Sequence, residues 1–300
     1  MISTFYRSAT PSMKIMLTLI FCLSGLLLFM FLGMLIAYVF YGTNAMALLE
    51  NPNPSIPDSI GALKIFQICQ AIGLFIVPGF LLAAYFSSNP AEYLGLKRVN
   101  VKIGFLSILT IIIAFPAINL LASINDLVPL PNWMSEMEEK AQVLTKAFMQ
   151  VNGVGSLLIN VFMIAILPAV GEELIFRGIL QKLFTELTGK AFWGIIISAA
   201  LFSAMHLQFQ GFIPRFALGI LFSYLLVWTG SLWLPIIAHF VNNLIAIVGY
   251  ALIYKGTIPP ETENVGGFAA MWPLGIISII AVLGLLRTIK GEGLMIREIE

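Results

Sequence analysis

Apolar runs of membrane-spanning length follow one another along this chain and leave few folds open to it. The first, residues 15–41, comes after Arg7 and Lys14. It is far longer than the ~7–15-residue core of a signal peptide, so it reads as a spanning helix that stays in place. A proline-bearing link, residues 51–58, leads to a second helix over 62–86, and a third covers 103–124 with a kink expected at Pro116. Further helices are predicted over 156–187, 191–207, 212–228, 232–254 and 271–286. Thr188-Gly189 and Gly230-Ser231 supply turns between them. With 59% hydrophobic and 10% charged residues and a mean hydropathy of +0.97, a soluble globule could not bury this much apolar surface. The fold class expected is all-α, a polytopic membrane helix bundle of about eight transmembrane helices.

One stretch does not fit that pattern. Residues 133–151 carry Glu136, Glu138, Glu139, Lys140 and Lys146 among spaced apolar residues, which suits an interfacial amphipathic helix or a cap over the bundle. The expected organisation is three spanning helices plus this helix over 1–151, a central group of helices over 152–250, and a last helix with a cytosolic tail over 251–300. Basic residues divide unevenly between the two sides. Arg7, Lys14, Lys97, Arg98, Lys102, Lys182, Lys190, Arg287, Lys290 and Arg297 fall on one side, and the other has only Lys64, Lys140, Lys146, Arg215 and Lys255. The bias predicts both termini in the cytosol of an integral, multi-pass protein, which for a prokaryote means the plasma membrane. A net charge of +1 gives no reason to expect a nucleic-acid partner. Cys22 and Cys69 lie within apolar runs and read as packing residues.

Polar residues inside the runs point to function. Glu172, Glu173 and Arg177 stand in the middle of the 156–187 run, where each such side chain costs roughly 2.5–3.5 kcal/mol on insertion scales. Glu173 and Arg177 are four apart on one helix face and are expected to pair, which turns Glu172 about 100° away toward another helix. The chain's two histidines, His206 and His239, also sit in apolar runs, with Phe202 one turn before the first. Asn242 and Asn243 follow the second at helical spacing. Structural readings exist for each: a buried charge network for Glu172, a core aromatic for Phe202, a helix-to-helix hydrogen bond for the asparagines. Heights are uneven, because His239 and Asn243 lie nearer to their turn than His206 does by about 5 to 9 residues, roughly 8–14 Å of helix. The groups converge if the 182–190 hairpin projects from the membrane.

A carboxylate, two imidazoles and a carboxamide meeting in a dry pocket suit hydrolysis. Glu172 would take a proton from water, and the histidines and Asn243 would stabilise an oxyanion. The same set, Glu172, His206, His239 and Asn243, could instead hold a divalent metal, with zinc the best match to imidazole and carboxylate ligands. No His-Glu-x-x-His helix and no Gly-x-Ser-x-Gly elbow is present.

Glu172-Glu173-x-x-x-Arg177, Phe202-x-x-x-His206 and His239-x-x-x-Asn243, in this order, resemble the CPBP (Abi) intramembrane proteases, which include the type 2 CAAX prenyl proteases. The likeness covers about 152–248 and takes in Gly230-Ser231-Leu232-Trp233-x-Pro235. It implies an eight-helix membrane endopeptidase, generally described as metal-dependent, although a glutamate mechanism has also been argued for the family. In that reading Glu172 is the base, His206, His239 and Asn243 surround the water, and Glu173 and Arg177 support the motif. The expected partners are membrane lipid and a polypeptide substrate, lipid-modified in some members. Two other classes compete: a non-catalytic adaptor or bacteriocin-immunity protein held together by the same residues, and a proton-coupled transporter. Unbroken helices and the lack of an internal repeat speak against the transporter.

Overall fold

The computed structural model describes residues 6–50, 53, 56–151, 153–259 and 268–299, and every regular element among them is helical. α1 (Pro11–Tyr41) starts with Pro11 in its first turn and Thr10 as its cap, and runs on through a 3-10 turn to Glu50. α2 is Pro57–Phe86, α3 Val101–Asn125, α4 Asn132–Met149 and α5 Val154–Thr188. α6 (Ala191–Ala204), α7 (Phe212–Thr229), α8 (Trp233–Tyr254) and α9 (Phe268–Ile299) complete the bundle. Among the described residues seven helices are long and apolar enough to cross a membrane, so the chain is a multi-pass helical bundle. α6, at 14 residues, is too short to count among them, where the sequence suggested a full span over 191–207. α9 continues past residue 286 and carries Arg287 and Lys290 as helical residues. Residues 51–52 and 54–55 of the proline-bearing link, the proposed boundary at Asn152, and the acidic Glu261 and Glu263 lie outside the described residues.

The spanning helices are continuous, but two are not plain α-helices, a correction to the unbroken elements expected. Ile72–Ile76 in α2, and Val161–Ile166 and Leu174–Leu180 in α5, are π-helical turns. Pro78 and Pro168 follow the first two closely. Proline has no N–H, so the carbonyls of Leu74 and Ile164 lose their usual partner four residues on, and the local ladder must loosen. At the third proline, Pro116 in α3, α9 makes the repair. The Ser278 hydroxyl donates to the Ile113 carbonyl and accepts from the Ala117 N–H at 3.2 Å, replacing one rung with a side chain from the next helix.

Close approach depends on glycine. A Cβ on Gly25 would lie 2.1 Å from the Gly73 carbonyl, so α1 and α2 cross with backbones in contact, as small residues allow in membranes. A Cβ on Gly171 would come 2.8 Å from that of Phe75, which brings α2 against α5 beside the glutamate pair. Two apolar cores result. One gathers Phe75, Leu174, Phe176, Phe202 and Ile236; the other gathers Ile103, Leu218, Phe222, Leu234 and Ile289. The polar residues singled out in the sequence lie where the two meet. α4 keeps most of its surface outside the bundle and buries Glu138 and Ala147, with Trp133 set edge-on to Phe209 at 5.7 Å.

Candidate active site

α5 buries Glu172, Glu173 and Arg177 together, the last two completely. Arg177 Nη1 donates to Glu173 Oε1 at 2.9 Å, the pair that the four-residue spacing suggests. Its Nη2 donates to the Gly219 carbonyl on α7 at 3.1 Å. The guanidinium is held between two rings, 4.3 Å from the centroid of Phe202 and 5.4 Å from that of Phe222. Gly219 makes this possible, since a Cβ there would sit 3.0 Å from the Ala199 Cβ and 3.2 Å from Arg177 Nη2. A charge that would be costly alone is thus paired, hydrogen-bonded and enclosed by aromatic faces.

His239 completes this group. Its Nδ1 lies 2.9 Å from the same Glu173 oxygen, and its ring stacks on Phe222 at 5.2 Å. Glu173 therefore serves two cationic or donor groups, one from its own helix and one from α8. Asn243, one turn beyond His239, donates through Nδ2 to the Ile164 carbonyl at 3.0 Å, the acceptor that Pro168 leaves without a partner. Asn242 Nδ2 in turn donates to Asn243 Oδ1 at 3.1 Å.

Glu172 has a different neighbour. Its Oε2 is buried without a hydrogen-bond partner and lies 4.0 Å from His206 Nε2. The other ring nitrogen of His206, Nδ1, is 2.9 Å from the Phe202 carbonyl. A carbonyl only accepts, so Nδ1 carries the proton and the Nε2 lone pair is turned toward Glu172. Phe202 packs its ring edge-on against both His206 and His239, at 5.4 and 5.7 Å. Among the described residues it is the single side chain whose ring contacts the arginine and both histidines.

His206 does not sit on a helix. α6 ends at Ala204, and His206 occupies the turn that follows, ahead of Leu207 with φ 52°. That is left-handed backbone in a residue with a Cβ, a conformation that costs about 1–3 kcal/mol and must be held by its surroundings. This ending also resolves the uneven heights, because His206 leaves the helical line and lies against Phe202, which reaches His239.

Residues that the sequence did not single out hold this segment. Asn125, the last residue of α3, donates through Nδ2 to the Phe209 carbonyl at 3.0 Å and accepts the Ile213 N–H on Oδ1 at 2.8 Å. Arg215 donates to the Gln208 carbonyl at 3.3 Å and to Gln208 Oε1 at 2.8 Å. Glu138, from α4, accepts the Gln210 N–H at 3.4 Å. In the sequence Glu138 belonged to the amphipathic stretch 133–151 and Arg215 to the less basic side, and Asn125 carried no signal. Lys64, grouped there with the outer loops, is half-buried and donates to Asn160 Oδ1 at 2.7 Å.

As arranged, the donors do not form a ready metal site. Among the described residues no three His, Cys, Asp or Glu side chains are gathered to hold an ion. Glu172 and His206 face each other as two donors, whereas His239 Nδ1 is engaged by Glu173 and the Asn243 amide by Ile164 and Asn242. A catalytic zinc ordinarily has three protein ligands, one more than the Glu172–His206 pair offers.

The fold and the site together define a polytopic helical membrane protein with a carboxylate and an imidazole facing each other between its helices. Residues 154–245, the segment from the start of α5 to the middle of α8, match the family model described as Type II CAAX prenyl endopeptidase Rce1-like. The chain is also similar to the membrane-embedded CAAX protease MroQ of Staphylococcus aureus (strain USA300), with 33% identity over 112 residues. That alignment covers 35% of this chain and 44% of the relative's length. Over the segment that bears the site, the chain is similar to the CAAX proteases, and its alignment spans less than half of the relative's length. No solved structure matches it.

Proposed function

We propose that this protein is a membrane-embedded endopeptidase that hydrolyses a peptide bond in a membrane-associated, lipid-modified polypeptide. The observation that carries the reading is the asymmetry of the glutamate pair. Glu173 is engaged at Oε1 by both Arg177 and His239, its Oε2 left without a partner, whereas the buried and equally unpartnered Oε2 of Glu172 faces the Nε2 lone pair of His206 at 4.0 Å. Four ångströms is too long for a direct hydrogen bond, and a water admitted between the two groups would bond to both. Glu172 would take a proton from that water as its oxygen attacks the scissile carbonyl, and would return the proton to the departing amine nitrogen. The Nε2 lone pair of His206 would orient the water for attack. His239, fixed by Glu173 and Phe222, and Asn243 are the groups from α8 assigned to stabilise the oxyanion.

Glu172→Gln tests this reading. It keeps the size of the side chain and removes the base, so cleavage should fall by roughly 10²- to 10⁴-fold while helix content and expression are unchanged. The readout is the set of membrane-associated peptides in cells carrying the wild type or the variant. Cleavage that persists, or a cellular phenotype that survives the substitution, would mean that the residues only hold the bundle together. The same assay on protein stripped of metal by a chelator should show activity retained; loss restored by added zinc would replace the glutamate mechanism with a metal one.

A further inference from the structure

We infer that Asn125 is the positioning residue that sets His206 opposite Glu172, an inference that rests on the hydrolytic reading above. His206 stands past the α-helical ladder, in a turn whose bonds run from the His206 N–H to the Ser203 carbonyl at 3.4 Å and from the Leu207 N–H to the Ala204 carbonyl at 3.1 Å. It stands between the end of α6 and the 3-10 turn Phe209–Gly211, next to the left-handed Leu207. Its ring is tethered at Nδ1 to the Phe202 carbonyl, which sets the tautomer. The turn bonds reach only to Leu207, and residues 208–210 are held by side chains from other elements.

Three side chains reach this segment, and they differ in kind. Arg215 holds Gln208 but belongs to the helix that the segment itself leads into, so it moves with the segment. Glu138 holds Gln210 from α4, which lies largely outside the bundle. Asn125 is buried at the end of α3, a helix locked to α9 by the Ser278 bridge at Pro116. Its carboxamide uses both of its functions on backbone: the NH₂ group on the carbonyl of Phe209 and the oxygen on the N–H of Ile213. One rigid side chain thus ties both sides of the turn after His206 to a fixed helix. Ser203, whose hydroxyl donates to the Phe212 carbonyl at 2.7 Å, closes the same loop from the α6 side. Anchored at Ser203 before it and at Asn125 after it, the 204–211 segment has one arrangement available, and that arrangement aims His206 at Glu172.

A carboxamide is required, because the position must both donate and accept. Asn125→Asp keeps the shape and the acceptor for Ile213 but presents a carboxylate to the Phe209 carbonyl. Asn125→Ala removes both bonds.

The chain has only two histidines, which gives a readout specific to the proposal. In full-length protein labelled on histidine with ¹³C and ¹⁵N, the two sets of ring signals are assigned by comparison with His206→Gln. Asn125→Asp and Asn125→Ala should shift or broaden the His206 signals and leave those of His239, held by Glu173 and Phe222, in place. With a farnesylated, quenched-fluorescent peptide as probe, kcat should drop roughly 10- to 100-fold with KM within about twofold of the wild type. His206 signals that stay fixed, signals of both histidines that move together, or an unchanged kcat would each overturn the assignment. Should Asn125→Ala fail to fold, Asn125→Asp decides alone. If the wild type and Glu172→Gln cleave the probe equally, the hydrolytic reading fails, and the histidine spectra still decide whether Asn125 holds His206.

Discussion

Arg177 shows what it takes to keep a full charge inside a membrane bundle. Its ion pair with Glu173 is buried on both sides, a second hydrogen bond goes to Gly219, and Phe202 and Phe222 cover its faces. The benefit over an apolar replacement is small for such pairs, but breaking one is severe because the remaining charge stays buried. Arg177→Met should therefore destabilise the protein by roughly 3–5 kcal/mol, read as a loss of thermal stability in detergent. The double change Arg177→Met with Glu173→Gln should recover part of it. A double variant no more stable than the single one would show that the arginine acts through its packing between the rings and not through charge. Spacing in the sequence was enough to anticipate the Glu173–Arg177 pair, since residues four apart on a helix are neighbours whatever surrounds them. The link from His239 to Glu173 was not legible, because it depends on how α8 is rotated against α5.

Helix α5 carries the site because it is irregular. Its first π turn lies just before Pro168, which leaves the Ile164 carbonyl without its helical donor, and its second contains Arg177. Asn243 supplies the missing donor from α8, so a proline on one helix and an asparagine on the next form one structural unit. Asn243→Leu should cost roughly 1–3 kcal/mol through the orphaned carbonyl. Adding Pro168→Ala, which restores an N–H four residues on, should return part of that loss in a double-mutant cycle. Strict additivity of the two changes would dissociate them. The sequence showed Pro168 and Asn243 separately, 75 positions apart, with nothing to connect them. Likewise, the apolar run 191–207 concealed the end of α6, because hydropathy does not register a backbone that turns left-handed at Leu207.

The whole bundle has two unlike ends. At one, Tyr6 packs on Tyr85 with 5.2 Å between ring centroids, the Leu232 N–H donates to the Gly95 carbonyl at 2.7 Å, and Lys102 pairs with Glu292 at 2.7 Å. Both described chain ends therefore lie on the same side, together with Lys97, Arg98 and the turn at Gly230. At the other end lie α4, Asn125 and the segment after His206. We place the first end in the cytosol on the strength of its basic residues. Single cysteines at the exposed positions Lys97 and Glu139 test this, because native Cys22 and Cys69 are buried. In intact cells an impermeant thiol reagent should label Glu139→Cys and spare Lys97→Cys; the reverse pattern would invert the topology.

The sequence by itself determined the membrane bundle, the approximate limits of its spans, the glutamate–arginine pair and the motifs by which residues 154–245 resemble the CAAX proteases. Those properties follow from composition and from spacing along one helix, which lipid and backbone geometry fix locally. Tertiary structure alone decided the rest: that Glu173 is engaged from two sides while Glu172 is not, that His206 stands beyond its helix facing Glu172, and that Asn125 grips the turn after it. These depend on the rotation and depth of helices far apart in the chain. Packing sets both, through contacts such as Gly25 on Gly73 and Gly219 on Ala199, and no single segment encodes them.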